Sequence, residues 1–62
     1  MKRFVYYFVD NRDGMNEWGM DYWNAPNFRT AKKELFKAYK EELKTGLFSF
    51  VFIAEIKYEE DL

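Results

Sequence analysis

The side chains of this chain that could do chemistry are carboxylates, amines and aromatic rings, because the sequence contains neither histidine nor cysteine. Histidine is the commonest general base near neutral pH and the commonest metal ligand in proteins. Cysteine supplies disulfides and thiolate metal sites. Without both, most nucleophilic, redox and transition-metal chemistry is excluded. We therefore expect no catalytic residues, no metal site and no cofactor.

The carboxylates show no catalytic or metal-binding spacing. Oxygen ligands of the kind that Ca²⁺ and Mg²⁺ prefer occur at Asp10, Asn11, Asp13, Asn16, Glu17 and Asp21. Their spacing differs from that of a calcium-binding EF-hand loop, so we interpret them as turn-forming residues. Glu55 and Glu59 form a possible carboxylate pair, but a chain of this length can hardly enclose a pocket around them.

Basic residues form the second candidate group. They recur at steps of three and four along a predicted helix, at Arg29, Lys33, Lys37, Lys40 and Lys44. Such a row could follow a phosphate backbone while exposed rings of the sheet stack on bases. Glu34, Glu41 and Glu42 interrupt it, and ten basic against eleven acidic residues give a net charge of −1. We interpret the row as a solvated helix face, and nucleic-acid binding is the second functional hypothesis.

The elements that position these residues are three strands and one helix. β-branched and aromatic residues predict a strand over 3–9, and alternation predicts another over 17–23, with Gly19 as a candidate bulge. Turn formers occupy 10–14, and the longest strand signal covers 47–58 before an acidic tail at 59–62. The predicted fold is a small α+β domain spanning 1–62. Its antiparallel three-stranded sheet has the order 2-1-3, with the helix on one face.

The helix is predicted over 28–45. Its apolar stripe has spacings of three and four and consists of Phe28, Ala31, Leu35, Ala38, Tyr39 and Leu43. Asn27 or Thr30 can act as N-cap, and Gly46 is well placed to end the helix.

The strands carry more apolar surface than one helix can cover. We assign Phe48, Phe50 and Phe52 to the helix face, which leaves Val51 and Ile53 facing outward. An uncovered patch of this kind is typical of an interface. We predict that the interface contains Tyr7, Trp18, Tyr22, Trp23, Val51 and Ile53. A second copy of the chain, a different protein, or a loop or tail of the chain itself could cover it.

Compartment and biological role are inferred from length and composition alone. The apolar run that follows Met1 to Arg3 ends at Asp10, which is too short for a signal peptide, and no run approaches a membrane span. We expect a cytoplasmic protein. In length and in lacking cysteine and histidine, the chain resembles the small accessory proteins that phages and mobile elements encode. That resemblance implies a non-catalytic protein-binding module that inhibits or modulates a host or defence protein stoichiometrically, and the surplus face predicts a homodimer.

Overall fold

Three strands form one antiparallel sheet in the computed structural model, which describes residues 1–57. The strands are β1 (Lys2–Asp10), β2 (Glu17–Ala25) and β3 (Phe48–Ile56), in the order β2-β1-β3. The predicted α+β fold, its strand order and the helix on one face are thereby confirmed. The predicted strand end at Tyr58 and the acidic tail 59–62 lie outside the described residues.

The β1–β2 hairpin forms because its turn supplies the required backbone angles. Gly14 has a φ of +86°, and its N–H donates to the carbonyl of Asn11 at 3.2 Å. The register then continues unbroken from Asp10 opposite Glu17 to Lys2 opposite Ala25. The predicted bulge at Gly19 is therefore wrong. Glycine leaves space there for the Phe8 ring, which an added Cβ atom would force to move.

The helical segment is divided into α1 (Phe28–Ala38) and α2 (Lys40–Lys44), so the prediction of a single helix over 28–45 is wrong. Tyr39 separates the two with φ −104° and ψ 23°, outside the helical range. Its ring stacks on Phe48 at 5.2 Å, and its hydroxyl shares a 2.8 Å hydrogen bond with that of Tyr6. The predicted N-cap at Asn27 is confirmed, since its side chain accepts from the Thr30 N–H at 2.8 Å. Within residues 1–57, neither helix is long and apolar enough to cross a membrane.

Aromatic rings provide most of the packing between the helices and the sheet. The buried side chains come from both layers: Phe4, Tyr6, Ala25, Ala31, Leu35 and Phe48. Two of them, Tyr6 and Phe48, belong to an aromatic cluster that also contains Phe8, Tyr39 and Phe50, with ring centroids 5.1–6.3 Å apart. Dense aromatic packing of this kind compensates for the small core of a short chain that has no disulfides. Burial, followed by the bond to Tyr39, raises the pKa of the Tyr6 hydroxyl above its usual value.

A β-bulge at Val51 determines which side chains of β3 face the helices. The register passes from Phe8 opposite Phe50 to Tyr7 opposite Phe52, so Val51 has no partner on β1. One extra residue reverses the alternation of faces beyond it. The assignment of Phe52 to the helix face and of Ile53 to the outer face is therefore wrong. Ile53 packs against the core, and Phe52 lies on the opposite face, stacked on Tyr7.

Candidate binding surface on the open sheet face

The sheet face that the helices leave uncovered, called the open face below, is apolar across all three strands. It consists of three rows of register partners: Tyr22, Val5 and Ala54; Met20, Tyr7 and Phe52; and Trp18, Val9 and Ser49. Arg3, Asn24 and Ile56 form a fourth row at one end. A solvated face of an antiparallel sheet normally carries polar side chains at these positions.

Large side chains on the open face are substantially exposed. Trp18 is 67% exposed and Phe52 48%, and Met20 and Tyr22 are exposed to a similar extent as Phe52. Side chains of this size, contiguous over three strands, form an apolar patch of roughly a few hundred Å², and the largest apolar patch of a monomer is often functional.

Contacts between neighbouring strands hold the exposed rings in place. Tyr7 and Phe52 stack with centroids 4.6 Å apart and an interplanar angle of 24°. The guanidinium of Arg3 lies 4.3 Å from the centroid of the Tyr22 ring. Contacts of these kinds each contribute about 0.5–1.5 kcal/mol. The rings are thus positioned before any partner arrives, which reduces the entropy cost of binding.

The open face is nearly uncharged. Of the charged residues in the three strands, only Arg3 lies on it by alternation. The others point to the helix side or lie at its ends, as in the 3.8 Å pair between Lys2 and Glu55. A surface of this kind favours an apolar partner over a polyanion, because a nucleic acid needs several cations along its phosphates.

Three of the six predicted interface residues come together on the open face, namely Tyr7, Trp18 and Tyr22. Val51 is exposed at the bulge of the edge strand β3. Trp23 and Ile53 lie on the helix side and pack against the core, so neither belongs to this surface.

Trp23 has a structural role on the helix side, where its indole N–H donates to Glu34 at 3.0 Å. Phe52, by contrast, belongs to the open face and was not predicted there. No sequence signal marks the bulge that turns it outward, since Phe50 to Ala54 is an uninterrupted apolar run.

The basic row lies on the other side of the domain from the open face. All five residues are exposed, with Arg29, Lys33 and Lys37 on α1 and Lys40 and Lys44 on α2. Because the helices cover the opposite face of the sheet, this row and the open-face rings do not form one continuous surface. Lys44 also pairs with Glu41 at 3.7 Å.

The acidic loop residues form local turn contacts. Asp10 accepts two hydrogen bonds from the Arg12 guanidinium at 2.9 and 2.6 Å, and these bonds hold the pKa of that carboxyl below its usual value. Asp13 accepts from the Met15 N–H at 3.2 Å. Among residues 1–57, no three acidic side chains converge on a possible metal position. Glu59, the second carboxylate of the pair considered above, lies outside that range.

Comparison of the chain with protein-family models, curated proteins and solved structures finds no match. The class of protein is therefore defined by the fold and the surface alone. It is a small α+β domain with helices on one face of its sheet and an apolar second face that no element of residues 1–57 covers.

Proposed function

We propose that this chain is a non-catalytic protein-binding module and that the open face is its binding surface. The supporting observation is the apolar character of that face, with Trp18, Met20, Tyr22 and Phe52 all substantially exposed. Aromatic and methionine side chains are enriched at the centres of protein interfaces, and charged residues are depleted there. The open face has this composition.

The first partner we propose is a second copy of the chain. A two-fold axis parallel to the central row, Met20, Tyr7 and Phe52, and midway between the two copies would stack the two sheets about 10 Å apart, as in a β-sandwich. In that arrangement, the two Arg3 side chains, the charged strand residues of the two open faces, lie at opposite ends of the interface and do not repel each other. Two copies of the open face are therefore complementary to each other in charge as well as in polarity.

The area of the face predicts a weak dimer. Three strands about 4.8 Å apart and rows about 7 Å apart give a face of roughly 14 by 25 Å. Two such faces bury on the order of 1,000 Å² of accessible surface, at the lower end of specific interfaces. We therefore expect a dissociation constant of roughly 100 µM, near −5.5 kcal/mol.

Sedimentation velocity from about 10 µM to 1 mM tests this proposal. The wild-type chain should shift from monomer to dimer across that range, whereas Phe52→Asp should remain monomeric because a charge would be buried at the centre of the interface. Phe36→Asp is the matched control, since Phe36 has nearly the same exposure as Phe52, 43% against 48%, but lies on α1, on the other side of the sheet. A wild-type chain that stays monomeric at 1 mM would refute the homodimer.

Nucleic-acid binding can be distinguished from protein binding by the salt dependence of the affinity. Phosphate contacts make affinity fall steeply as salt rises. Fluorescence anisotropy with labelled single-stranded DNA and RNA at low salt should show no saturable binding. Binding that Phe52→Asp abolishes would instead identify the open face as a base-stacking platform and contradict the protein-binding function.

A further inference from the structure

A shallow groove of about 460 Å³ runs along α1, on the side of the domain away from the open face. Two phenylalanines and three cations line it: Phe28, Arg29, Lys32, Lys33 and Phe36. Among residues 1–57, no carboxylate lines the groove, and the first turn of α1 has no acidic residue. The groove therefore combines an apolar floor with a positive rim.

The two phenylalanines are exposed but held in place. Each is close to half exposed, and each packs on a ring of the sheet: Phe28 on Phe4 at 6.2 Å and Phe36 on Phe50 at 5.2 Å. Eight residues of helix place the two about 12 Å apart along the axis. They are thus two fixed apolar contact points at a defined separation.

The three cations are available to an anion. Arg29, Lys32 and Lys33 form no ion pair with any other side chain of residues 1–57. Glu34, the acidic residue adjacent in sequence, accepts the Trp23 indole on the β2 side. The positive end of the α1 macrodipole adds to the same potential. In a chain with a net charge of −1, this is a local concentration of positive charge.

We propose that this groove binds an extended acidic segment of a partner protein, in which a run of three acidic residues has an apolar side chain at each end. An extended chain advances about 3.3 Å per residue, so side chains four residues apart are about 13 Å apart. That distance matches the separation of Phe28 and Phe36. The carboxylates between the two anchors then lie beside the cations of the rim.

A nucleic acid fits the groove less well. Base stacking needs an open ring face, but the Lys32 ammonium lies 6.0 Å over the Phe36 ring and Phe50 packs against the same ring. This second site is independent of the open face, because it lies on the opposite side of the sheet. Its occupation therefore does not depend on the dimer.

A labelled peptide with the sequence Leu-Glu-Asp-Glu-Phe tests the proposal by fluorescence anisotropy at 50 mM salt. We expect saturable binding with a dissociation constant of roughly 10–100 µM. The double variant Lys32→Glu, Lys33→Glu should weaken it at least about tenfold by charge repulsion. Lys37→Glu, an exposed cation of α1 outside the groove, should change it less than about threefold. Phe52→Asp should bind the peptide as the wild-type chain does.

Four outcomes would overturn the proposal. The first is no saturable binding of the peptide below about 1 mM, which is weaker than two apolar anchors and three ion pairs should allow. The second is equal binding of Ser-Glu-Asp-Glu-Ser, which would reduce the site to non-specific charge attraction. The third is displacement of the peptide by a single-stranded oligonucleotide at lower concentration, which would make the groove a nucleic-acid site. The fourth is peptide binding that occurs only after Glu59, Glu60 and Asp61 are replaced by serine. The chain's own acidic segment would then be the occupant.

Discussion

At the scale of single residues, Phe52 and Ile53 are neighbours in sequence with opposite environments. Phe52 is half exposed on the open face, and Ile53 packs against the core residues Phe4, Ala25 and Ala31. The same substitution at the two positions therefore has different consequences for folding.

We predict that Ile53→Asp lowers the free energy of unfolding by about 3 kcal/mol or more, because it places a carboxylate without a partner beside the core. For a domain of this size, that is most of the total stability. Phe52→Asp should cost about 1–2 kcal/mol, from the lost stack on Tyr7 and the lower strand propensity of aspartate. Urea denaturation at low micromolar concentration, where the chain is monomeric, measures both. Equal losses would contradict the placement of these two side chains.

The difference between these two positions also shows where sequence patterns stop being informative. The Asn27 cap, the Asp13-Gly14 turn and the strand order follow from local chemistry and alternation, and all are predicted correctly. The side of the sheet on which each side chain beyond the bulge lies cannot be predicted in the same way, because the segment Phe50 to Ala54 contains no polar residue that would mark the outward side. Tyr7, Trp18 and Tyr22 lie before the bulge or on β2, and the register brings them together on the open face.

Tyr6 makes the fold sensitive to alkaline pH. Burial, then the hydrogen bond to Tyr39, raises its pKa in the folded chain above the value near 10 that it has when unfolded. Its contribution to stability is therefore complete below pH 10. The contribution decreases above pH 10, where the unfolded chain releases the proton and the folded chain retains it.

We predict that Tyr6→Phe has a shallower loss of stability between about pH 10 and 11.5 than the wild-type chain, because phenylalanine cannot ionise. Tyr22→Phe, which removes an exposed hydroxyl from the opposite face, should retain the wild-type slope. Urea titrations followed by circular dichroism at several pH values compare the three chains. Identical slopes for Tyr6→Phe and wild type would show that Tyr6 does not cause the alkaline loss.

At the scale of elements, the bulge at Val51 accommodates one extra residue between Phe50 on the helix side and Phe52 on the open face. Without the extra residue, Phe50 would still pair with Phe8 and Phe52 with Tyr7, and the ladder between them would be regular. The hydrogen bonds interrupted at the bulge would be restored. Deleting a residue inside a strand normally moves the side chains beyond it to the opposite face of the sheet. Deleting Val51 would instead leave every other side chain of β3 on its present face.

We predict that a chain lacking Val51 folds with a free energy of unfolding within about 1 kcal/mol of the wild-type value, because only an exposed, unpaired residue is removed. Deletion of Ser49 is the matched control. It moves Phe48, which is only 4% exposed, out of the core, and should cost about 3 kcal/mol or more. Thermal and urea unfolding distinguish the two chains. A severe loss on deletion of Val51 would mean that the bulge itself is needed for folding.

The break at Tyr39 belongs to the same scale. Apolar periodicity continues through it, so the sequence contains no sign that the helix is interrupted. The interruption accompanies a tertiary contact, the stacking of Tyr39 on Phe48 and its bond to Tyr6. Sequence patterns describe local preferences, and a tertiary contact of one ring is outside what they can predict.

At the scale of the whole molecule, a chain of 62 residues buries little of its surface and has a small core. Within residues 1–57, the buried core side chains lie on the helix side of the sheet. A second copy on the open face would convert the outer layer of the sheet into a second core. Association should therefore stabilise the fold, and by mass action that stabilisation grows with protein concentration.

We predict that the midpoint of thermal unfolding rises by about 5 °C between 20 µM and 1 mM for the wild-type chain, since about 1 kcal/mol of linked binding energy shifts a domain of this size by that much. Phe52→Asp should unfold at the same temperature at both concentrations, while Phe36→Asp, altered on the helix side, should follow the wild-type trend. Differential scanning calorimetry measures all three chains in one buffer. A wild-type midpoint independent of concentration would show that the open face does not bind a second copy, and its partner would then have to be a different protein.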